Sequence, residues 1–492
     1  MDQKITKEQE ARLQNLEKIR AAGIEPYPEK FEKKQTLAQA KKLFEGKKVS
    51  VAGRIMLLRD MGKLTFCHLL DASGKMQIVL KQDEVGKEAY KVFVKNFDIG
   101  DFLGVNGEIF TTQKGEISVL VKKYEFLGKA LRPLPEKWHG LKDVETRYRQ
   151  RYLDLIMNDE ARQIFNLRSR LIKSLREFYW EQGFQEVETP VLLHEATGAH
   201  AKPYKTHHNA LDMDVYLRIS HELPLKELIV GGYEKIFELG KAFRNEGIDP
   251  SHLPEHTHLE HYAAYWNFED NIAFTEKMFD YLFDKLGLDR KIDVPDRDGK
   301  MKKVDFSTPF KRVNFIDLLK KDTGLDVLDY TDVKELLKDI KKKGIKIEGM
   351  EKMNLYTLID NLYKKVSRPK LIQPTFLYYY PESLQPLARR NNKDPRVVDQ
   401  FQLVINTWEL AKAYSELVDP IDQRQRFEQQ MKDRAAGDEE ASEIDEDFIT
   451  AMEYGMPPIS GWGIGIDRLM TILTGQENLR DVVFFPLMKT KE

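Results

Sequence analysis

The sequence predicts an α+β protein of at least two domains, a small all-β module followed by a larger domain that mixes strands and helices. Three observations lead there. The 492-residue chain exceeds what one hydrophobic core usually covers, and its 41% hydrophobic content is enough to fill more than one. From about Val49 the apolar residues recur every second position, the period of half-buried strands. After Asn158 a helical period takes over, and alternating strand patterns return only further on.

Composition limits the functions available. The 78 Lys and Arg against 80 Asp and Glu exclude a globally basic nucleic-acid coat and leave room for a local basic patch. The single cysteine, Cys67, rules out a disulfide framework or a CxxC zinc site and reads as a small strand residue. The polar start "MDQKITKEQE" lacks the apolar core of a signal peptide, and no run reaches membrane-spanning length. A cytoplasmic, reduced setting with no membrane partner is expected.

Residues 1–48 form a leader whose helix carries Leu13, Leu16 and Ile19 at helical spacing, with Gly23 and Pro26 as stop signals. Residues 49–130 hold the β-module. Val51, Ile55 and Leu57 alternate, then Met76, Ile78 and Leu80, then Ile117, Val119 and Val121, with glycine turns such as "DASGK" and "TQKGE" between them. Gln77 falls on the face opposite Met76 and Ile78, available to a ligand. A closed five-stranded module of this kind is a usual platform for single-stranded bases, although an inert structural barrel reads the same way. Residues 131–157, rich in Pro, Arg and Lys, read as a linker with a basic face. Asn158 then caps a helix built on Ile164, Leu167, Leu171, Leu175 and Phe178, which Gly183 ends. The Lys- and Asp-rich stretch of about 288–374 reads as a helix-prone insertion without a catalytic cluster, and its run "LLKDIKKKGIKIEG" as a solvated helix.

Three clusters carry chemistry. In "YEKIFELGKAFRNEG" alternation puts Glu238 and Arg244 on one strand face, and in "THLEHYAAYW" it puts His258, Glu260 and Tyr262 together. Arginine's planar fork suits a carboxylate or phosphate, and carboxylates beside a tyrosine suit an ammonium, so a ligand bearing both signs of charge would fit. A salt-bridged surface hairpin is the plain alternative. In "SGWGIGIDRLMTILTG" Gly461, Gly463 and Gly465 strip one strand face of side chains, leaving room for a planar group; Asp467 caps the following helix, and Arg468 in its first turn attracts phosphate. Glycines packed against a neighbouring helix would look the same. In "WELAKAYSELVDP" alternation puts Lys412, Tyr414 and Glu416 on one face and Glu409 on the other, unless a bulge intervenes; Glu409 is a candidate magnesium ligand.

In their order along the chain, "FQEVETPVL", "FRNEG" and "GWGIGIDR" resemble motifs 1, 2 and 3 of the class II aminoacyl-tRNA synthetases. The longer runs "THHNALDMDVYLRISHELPLKELIVGGYEKIFELGKAFRNEG" and "DEDFITAMEYGMPPISGWGIGIDRLMTILTG" resemble the lysyl-tRNA synthetases of the bacterial and eukaryotic class II type. The resemblance spans nearly the whole chain and is weakest in the leader and the insertion. It implies an N-terminal OB-type barrel that reads the anticodon, then a catalytic domain over 158–492 built on an antiparallel sheet flanked by helices. It also implies activation of L-lysine with ATP and magnesium, and transfer to tRNA(Lys) by a homodimer joined around Phe184 to Pro190.

The resemblance further implies residue roles. Arg244 would hold the α-phosphate and the amino-acid carboxylate, Glu246 and His252 the nucleotide, and Arg468 the γ-phosphate, which makes Arg244, Glu246 and Arg468 the expected catalytic set. His256, in "PEHT" where the family often has phenylalanine, would stack on adenine, and Gly463 and Gly465 would support the adenosine. Gly198 and Glu222 would bind the α-amino group of lysine, while Glu260, Tyr262 and Glu416 would receive its side-chain ammonium, with Tyr414 beside them. Lys412 stands where the family usually has an asparagine near the substrate carboxylate. Gln402 and Glu409 align with paired magnesium carboxylates, one charge short. Phe66 would stack on an anticodon base, with Gln77 and Glu116 bonding base edges.

Three alternatives stand beside this reading. A relative that lysylates protein instead of tRNA would lack the anticodon module. Aspartyl- and asparaginyl-type enzymes share the domain order, and of these the aspartyl type is disfavoured because Glu222, Glu260 and Glu416 would repel an acidic side chain. A non-catalytic or altered-specificity paralogue that binds tRNA is countered by Arg244, Glu246 and Arg468.

Overall fold

The computed structural model of the chain describes residues 5–135, 141, 143–195, 201–247, 249–296, 299–435 and 445–490. The chain forms two compact units, Met1–Lys142 and Asp143–Glu492. Among the described residues no helix is long and apolar enough to cross a membrane.

In the first unit, helix α1 (Lys7–Ala21) starts at a capping box in which Thr6 and Gln9 satisfy each other's backbone donors. Its buried face is Arg12, Leu16 and Ile19, and the expected Leu13 is instead exposed. The correction has a physical cause: Arg12 donates to the carbonyls of Ile99 and Ala130, both at 3.0 Å, so the inward stripe turns toward its guanidinium. Strands β1 (Lys48–Asp60), β2 (Leu64–Asp71), β3 (Gly74–Lys81), β4 (Phe102–Thr111) and β5 (Ile117–Gly128) close into a barrel of order β1-β2-β3-β5-β4. Pairings are antiparallel except β3 with β5, which is parallel. Closure removes every sheet edge. The interior holds Val51, Ile55, Cys67, Ile78, Val105 and Val119, and burial pushes the Cys67 thiol up, so it is an inert packing residue. The helix Lys87–Asn96 between β3 and β4, which strand periodicity did not announce, adds Tyr90 and Phe93 to this core.

In the second unit, α2 (Asp159–Glu181) begins where the Asn158 side chain accepts from the Glu160 amide at 3.1 Å. It buries Ile164, Leu171, Leu175 and Phe178, and Gly183, at φ +80°, turns the chain out of it. Phe184 then packs into the same core, 1% exposed, so its ring is not available to a second subunit; Val191 and Leu192, a few residues on, are exposed. The main sheet has eight strands: β6 (Gln185–Glu186), β7 (Lys235–Phe243), β8 (Glu255–Ala264), β9 (Lys311–Asn314), β10 (Thr375–Pro381), β11 (Val397–Ile405), β12 (Trp408–Ser415) and β13 (Ile459–Gly465). Their order is β9-β10-β11-β12-β13-β8-β7-β6. The centre is antiparallel, as expected, and the two outermost pairs, β9 with β10 and β6 with β7, are parallel. Helix α3 (Glu222–Val230) precedes β7, and α4 (Phe268–Leu286) packs with α2 on one side of the sheet over Phe237, Leu259, Ala263 and Trp462.

The stretch 288–374 is helical in part but also contributes sheet. It contains the hairpin Lys291–Pro295 with Met301–Asp305, the edge strand β9, and helix α5 (Leu355–Val366), and its core continues onto Leu377, Val404 and Tyr414 of the main sheet. The lysine-rich helix Val333–Lys342 buries Leu336 and Ile340 and pairs Lys342 with Asp339, as a solvated helix does.

Candidate active site

The face of the main sheet opposite α2 and α4 lines a cavity of about 820 Å3, with α5 contributing Asp360 and Lys364 to its wall. Cross-strand register builds the floor. Tyr262 of β8 pairs with Gly461 of β13, which pairs with Tyr414 of β12; one step along, Glu260, Gly463 and Lys412 align the same way. A glycine strand between two strands bearing large side chains makes a trough, because a side chain on β13 would stand where its neighbours lean. At Gly461 an added Cβ would lie 2.3 Å from Glu416 Oε1 and 2.4 Å from the Tyr262 ring, so that end is filled by the protein itself. This corrects the expectation of one bare strand face. Only at Gly465 is the nearest contact as loose as 3.8 Å, to Arg468.

The bulge that strand alternation could not decide is present. Leu403 pairs with Ala411 but Val404 with Glu409, so Leu410 is the extra residue and Glu409 turns to the cavity with Lys412. Glu409 accepts from Arg368 at 3.0 Å; burial would raise its pKa, but Arg368, Lys364 and Arg468 hold it below the ordinary value, so it is a fixed anion. Gln402, opposite Lys412, accepts from the Tyr380 hydroxyl at 2.9 Å.

At the open end stand Arg244, Glu246, His252, His256 and Arg468. Arg244 follows β7, its amide bonded to the Pro254 carbonyl at 2.8 Å. His252 bonds Asp249 at 2.8 Å on the exposed loop. Burial, helped by Arg244, His258 and Arg468, pushes His256 down to about 2, so its ring is neutral. Arg468 donates to the Glu409 carbonyl at 2.8 Å. The cap of its helix α6 (Ile466–Leu473) is Gly465, not Asp467: the Asp467 carboxylate is buried, accepting from the Thr257 amide at 2.8 Å and forming an ion pair with Arg168 at 2.7 Å. That correction gives Asp467 a structural task, tying β8 and α2 to α6.

The other end is closed and acidic. Glu222 accepts from Tyr414 at 2.5 Å and from Lys226 at 2.7 Å, both at Oε1, and the Lys226 ammonium also pairs with Glu416 at 2.6 Å. Lys226 is 1% exposed and lies 5.6–5.9 Å from the rings of Tyr262, Tyr414 and Phe448. Burial raises Glu416 to about 8 even against Lys226. Glu260 accepts at Oε1 from the His221 amide, 3.2 Å, and faces His258 Nδ1 at 2.9 Å and His221 Nδ1 at 3.4 Å. Those contacts hold it well below the carboxylate range despite its burial, whereas burial lowers His258. Burial likewise lowers Lys412.

Glu238 shares a face with its cross-strand partner Glu260 but stands behind the wall, its oxygens taken by Arg218 at 2.5 Å and Thr189 at 2.7 Å. Gly198 lies outside the described residues. On the barrel, Phe66 is half-buried on β2, and His68 on the same strand approaches Glu116 at 3.9 Å. Gln77 pairs with His68 but is buried, its amide donating to Ser118 at 2.8 Å, which corrects the expectation of a free amide there. The reading of residues missed Lys226, His221 and the cavity wall from α5. The spacing of Glu222 and Lys226, one helical turn apart, was the available signal for the first.

The match to known families follows this layout. Residues 143–489 match the model of the tRNA synthetases class II (D, K and N), and residues 49–127 that of the OB-fold nucleic acid binding domain. The chain belongs to the class II tRNA synthetases of this group. Within the group it is similar to proteins named lysine-tRNA ligase. That of Aquifex aeolicus is 50% identical over 90% of this chain and 73% of its own length; that of Carboxydothermus hydrogenoformans is 47% identical over 98% of both; that of Thermotoga maritima is 46% identical over 98% and 96%.

Proposed function

We propose that this chain joins L-lysine to tRNA(Lys) at the expense of ATP. A lysine carboxylate oxygen attacks the α-phosphorus of ATP, pyrophosphate leaves, and a terminal hydroxyl of the tRNA then attacks the lysyl-adenylate, releasing AMP. No protein nucleophile is needed, so the protein's contribution is alignment and charge stabilisation. The observation that carries the reading is the polarity of one trough: arginines at its open end, and the carboxylates of Glu222 and Glu260 with two tyrosines at its closed end, where Glu416 lies buried behind them.

In this reading Arg244 bridges the α-phosphate and the lysine carboxylate, Arg468 takes the γ-phosphate, and Glu246, His252 and His256 receive the nucleotide over Gly463 and Gly465. Lys412 sits beside the attacking carboxylate and neutralises it. Glu222 receives the α-amino group, a role shared with Gly198. Glu260, Tyr262 and Glu416 receive the side-chain ammonium, with Tyr414 closing the wall; Glu222 and Glu260 are joined by a third carboxylate when Glu416 gives up its proton to the arriving cation. Glu409 offers one fixed carboxylate and Gln402 an amide oxygen, a set that suits a magnesium ion sharing its remaining positions with phosphates. When bound, the ion would neutralise the leaving pyrophosphate. Phe66 and Glu116 face the anticodon, and a homodimer forms through the segment up to Pro190, with exposed Val191 and Leu192 at its margin. ATP–pyrophosphate exchange with each of the twenty amino acids tests the reading. Exchange with lysine alone supports it; exchange with none, alongside retained tRNA binding, favours the paralogue reading.

A further inference from the structure

We propose that His221, His258 and Glu260 form a site for a divalent transition metal of the zinc class. Each offers one ligand atom, and these atoms lie within 4.8 Å of one another. Both imidazole Nδ1 atoms converge on a single carboxylate oxygen, at 2.9 and 3.4 Å. Ligands held about 2.0–2.1 Å from a tetrahedral ion stand roughly 3.3 Å apart, so an ion enters with small side-chain shifts. Two imidazoles and a carboxylate are a zinc donor set, whereas magnesium and calcium take oxygens.

The surroundings are built around these rings. Gly240, directly across from His258, has no side chain because a Cβ would lie 3.0 Å from His221 Nε2 and 2.5 Å from Arg218. Gly463, directly across from Glu260, would place its Cβ 3.1 Å from the His258 ring. On the outer side of His221, the buried Nε2 has no hydrogen bond and faces Glu238 Oε1 at 3.7 Å. Arg218 and Thr189 pin that carboxylate. A carboxylate behind the outer nitrogen of a liganding imidazole sets which nitrogen faces the ion. Three protein ligands, two of them on the cavity wall, leave the fourth position toward the cavity. The site shares Glu260 with the ammonium-binding role proposed above, so metal and lysine would exclude each other there; the metal site itself does not rest on that reading.

The test is titration of chelator-treated full-length protein with Co2+, followed through visible d–d absorption, and X-ray absorption of the Zn2+-loaded protein. One equivalent of Co2+ binding, weakened at least tenfold in His258→Gln and in His221→Gln, with two imidazoles in the zinc shell, is expected. Glu453→Gln should leave the titration unchanged, because that exposed carboxylate lies outside the set and outside the cavity lining. No saturable binding, an unaltered titration in both histidine variants, or a zinc shell without imidazole would overturn the proposal and leave a hydrogen-bonded triad. The wild-type zinc spectrum decides the matter even where a histidine variant fails to fold. Exchange activity with lysine is scored separately in chelator-treated protein resupplied with Mg2+ alone, so failure of either reading shows by itself.

Discussion

The two ends of the cavity solve opposite problems. At the closed end the protein has filled its own site: Lys226 occupies the gap between Glu222 and Glu416, Tyr414 caps it, and Glu416 leans over Gly461. At the open end Arg244, Arg468 and neutral His256 line a wall over Gly465, where a Cβ has only loose contacts. An acidic cluster left dry and unneutralised would cost stability, so the fold supplies a counter-ion; cations at a solvent-reached rim carry no such cost and stand ready for phosphates.

If the closed end is held by its internal cation, Lys226→Met should be the most damaging change. It leaves the buried Glu222 carboxylate without its cation and strips Glu416 of its ammonium partner, and should cost about 3–5 kcal/mol, read by chemical denaturation. Arg244→Ala should do the reverse: exchange activity falls about a hundred- to a thousandfold while the melting temperature stays near that of the parent. Equal melting losses in both variants would dissolve the contrast between the ends. The glycines sharpen it on one strand. Gly461→Ala should cost about 1–3 kcal/mol by driving Glu416 and Tyr262 aside, whereas Gly465→Ala should leave stability unchanged and raise the KM for ATP.

The smallest effect is one of pH. Burial raises Glu416 to about 8, so at neutral pH it is protonated in the free protein. An arriving ammonium favours the carboxylate, so lysine binding expels the proton and tightens as pH rises toward 8, by up to about tenfold per unit. Calorimetry in two buffers of different ionisation enthalpy, at pH 7, reads the released proton. No buffer dependence would mean that Lys226 alone keeps Glu416 ionised.

Much of this was legible along the chain. Period-two patterning marked the barrel strands, Asn158 and Gly183 bracketed α2, and alternation put His258, Glu260 and Tyr262 on one face, because these are local properties of backbone geometry. The misreadings share a cause. Leu13 lost the inner face of α1 to Arg12, whose partners Ile99 and Ala130 lie far along the chain. Asp467 looked like a cap but is held by Thr257 and Arg168. Gln77 points where alternation says, yet Ser118 of another strand takes its amide.

The sequence by itself determined the two-domain α+β plan, the order of the three motifs and the sign of the charge at each end of the cavity, since periodicity and residue type require no knowledge of distant partners. Tertiary structure decided which of those charges meet each other. The bulge at Leu410 turns Glu409 inward, Lys226 enters between carboxylates 194 residues apart, and two glycines on different strands leave space for His221 and His258 to converge on Glu260. Whether two groups lie within a few ångströms depends on strand register and packing, which no local pattern contains.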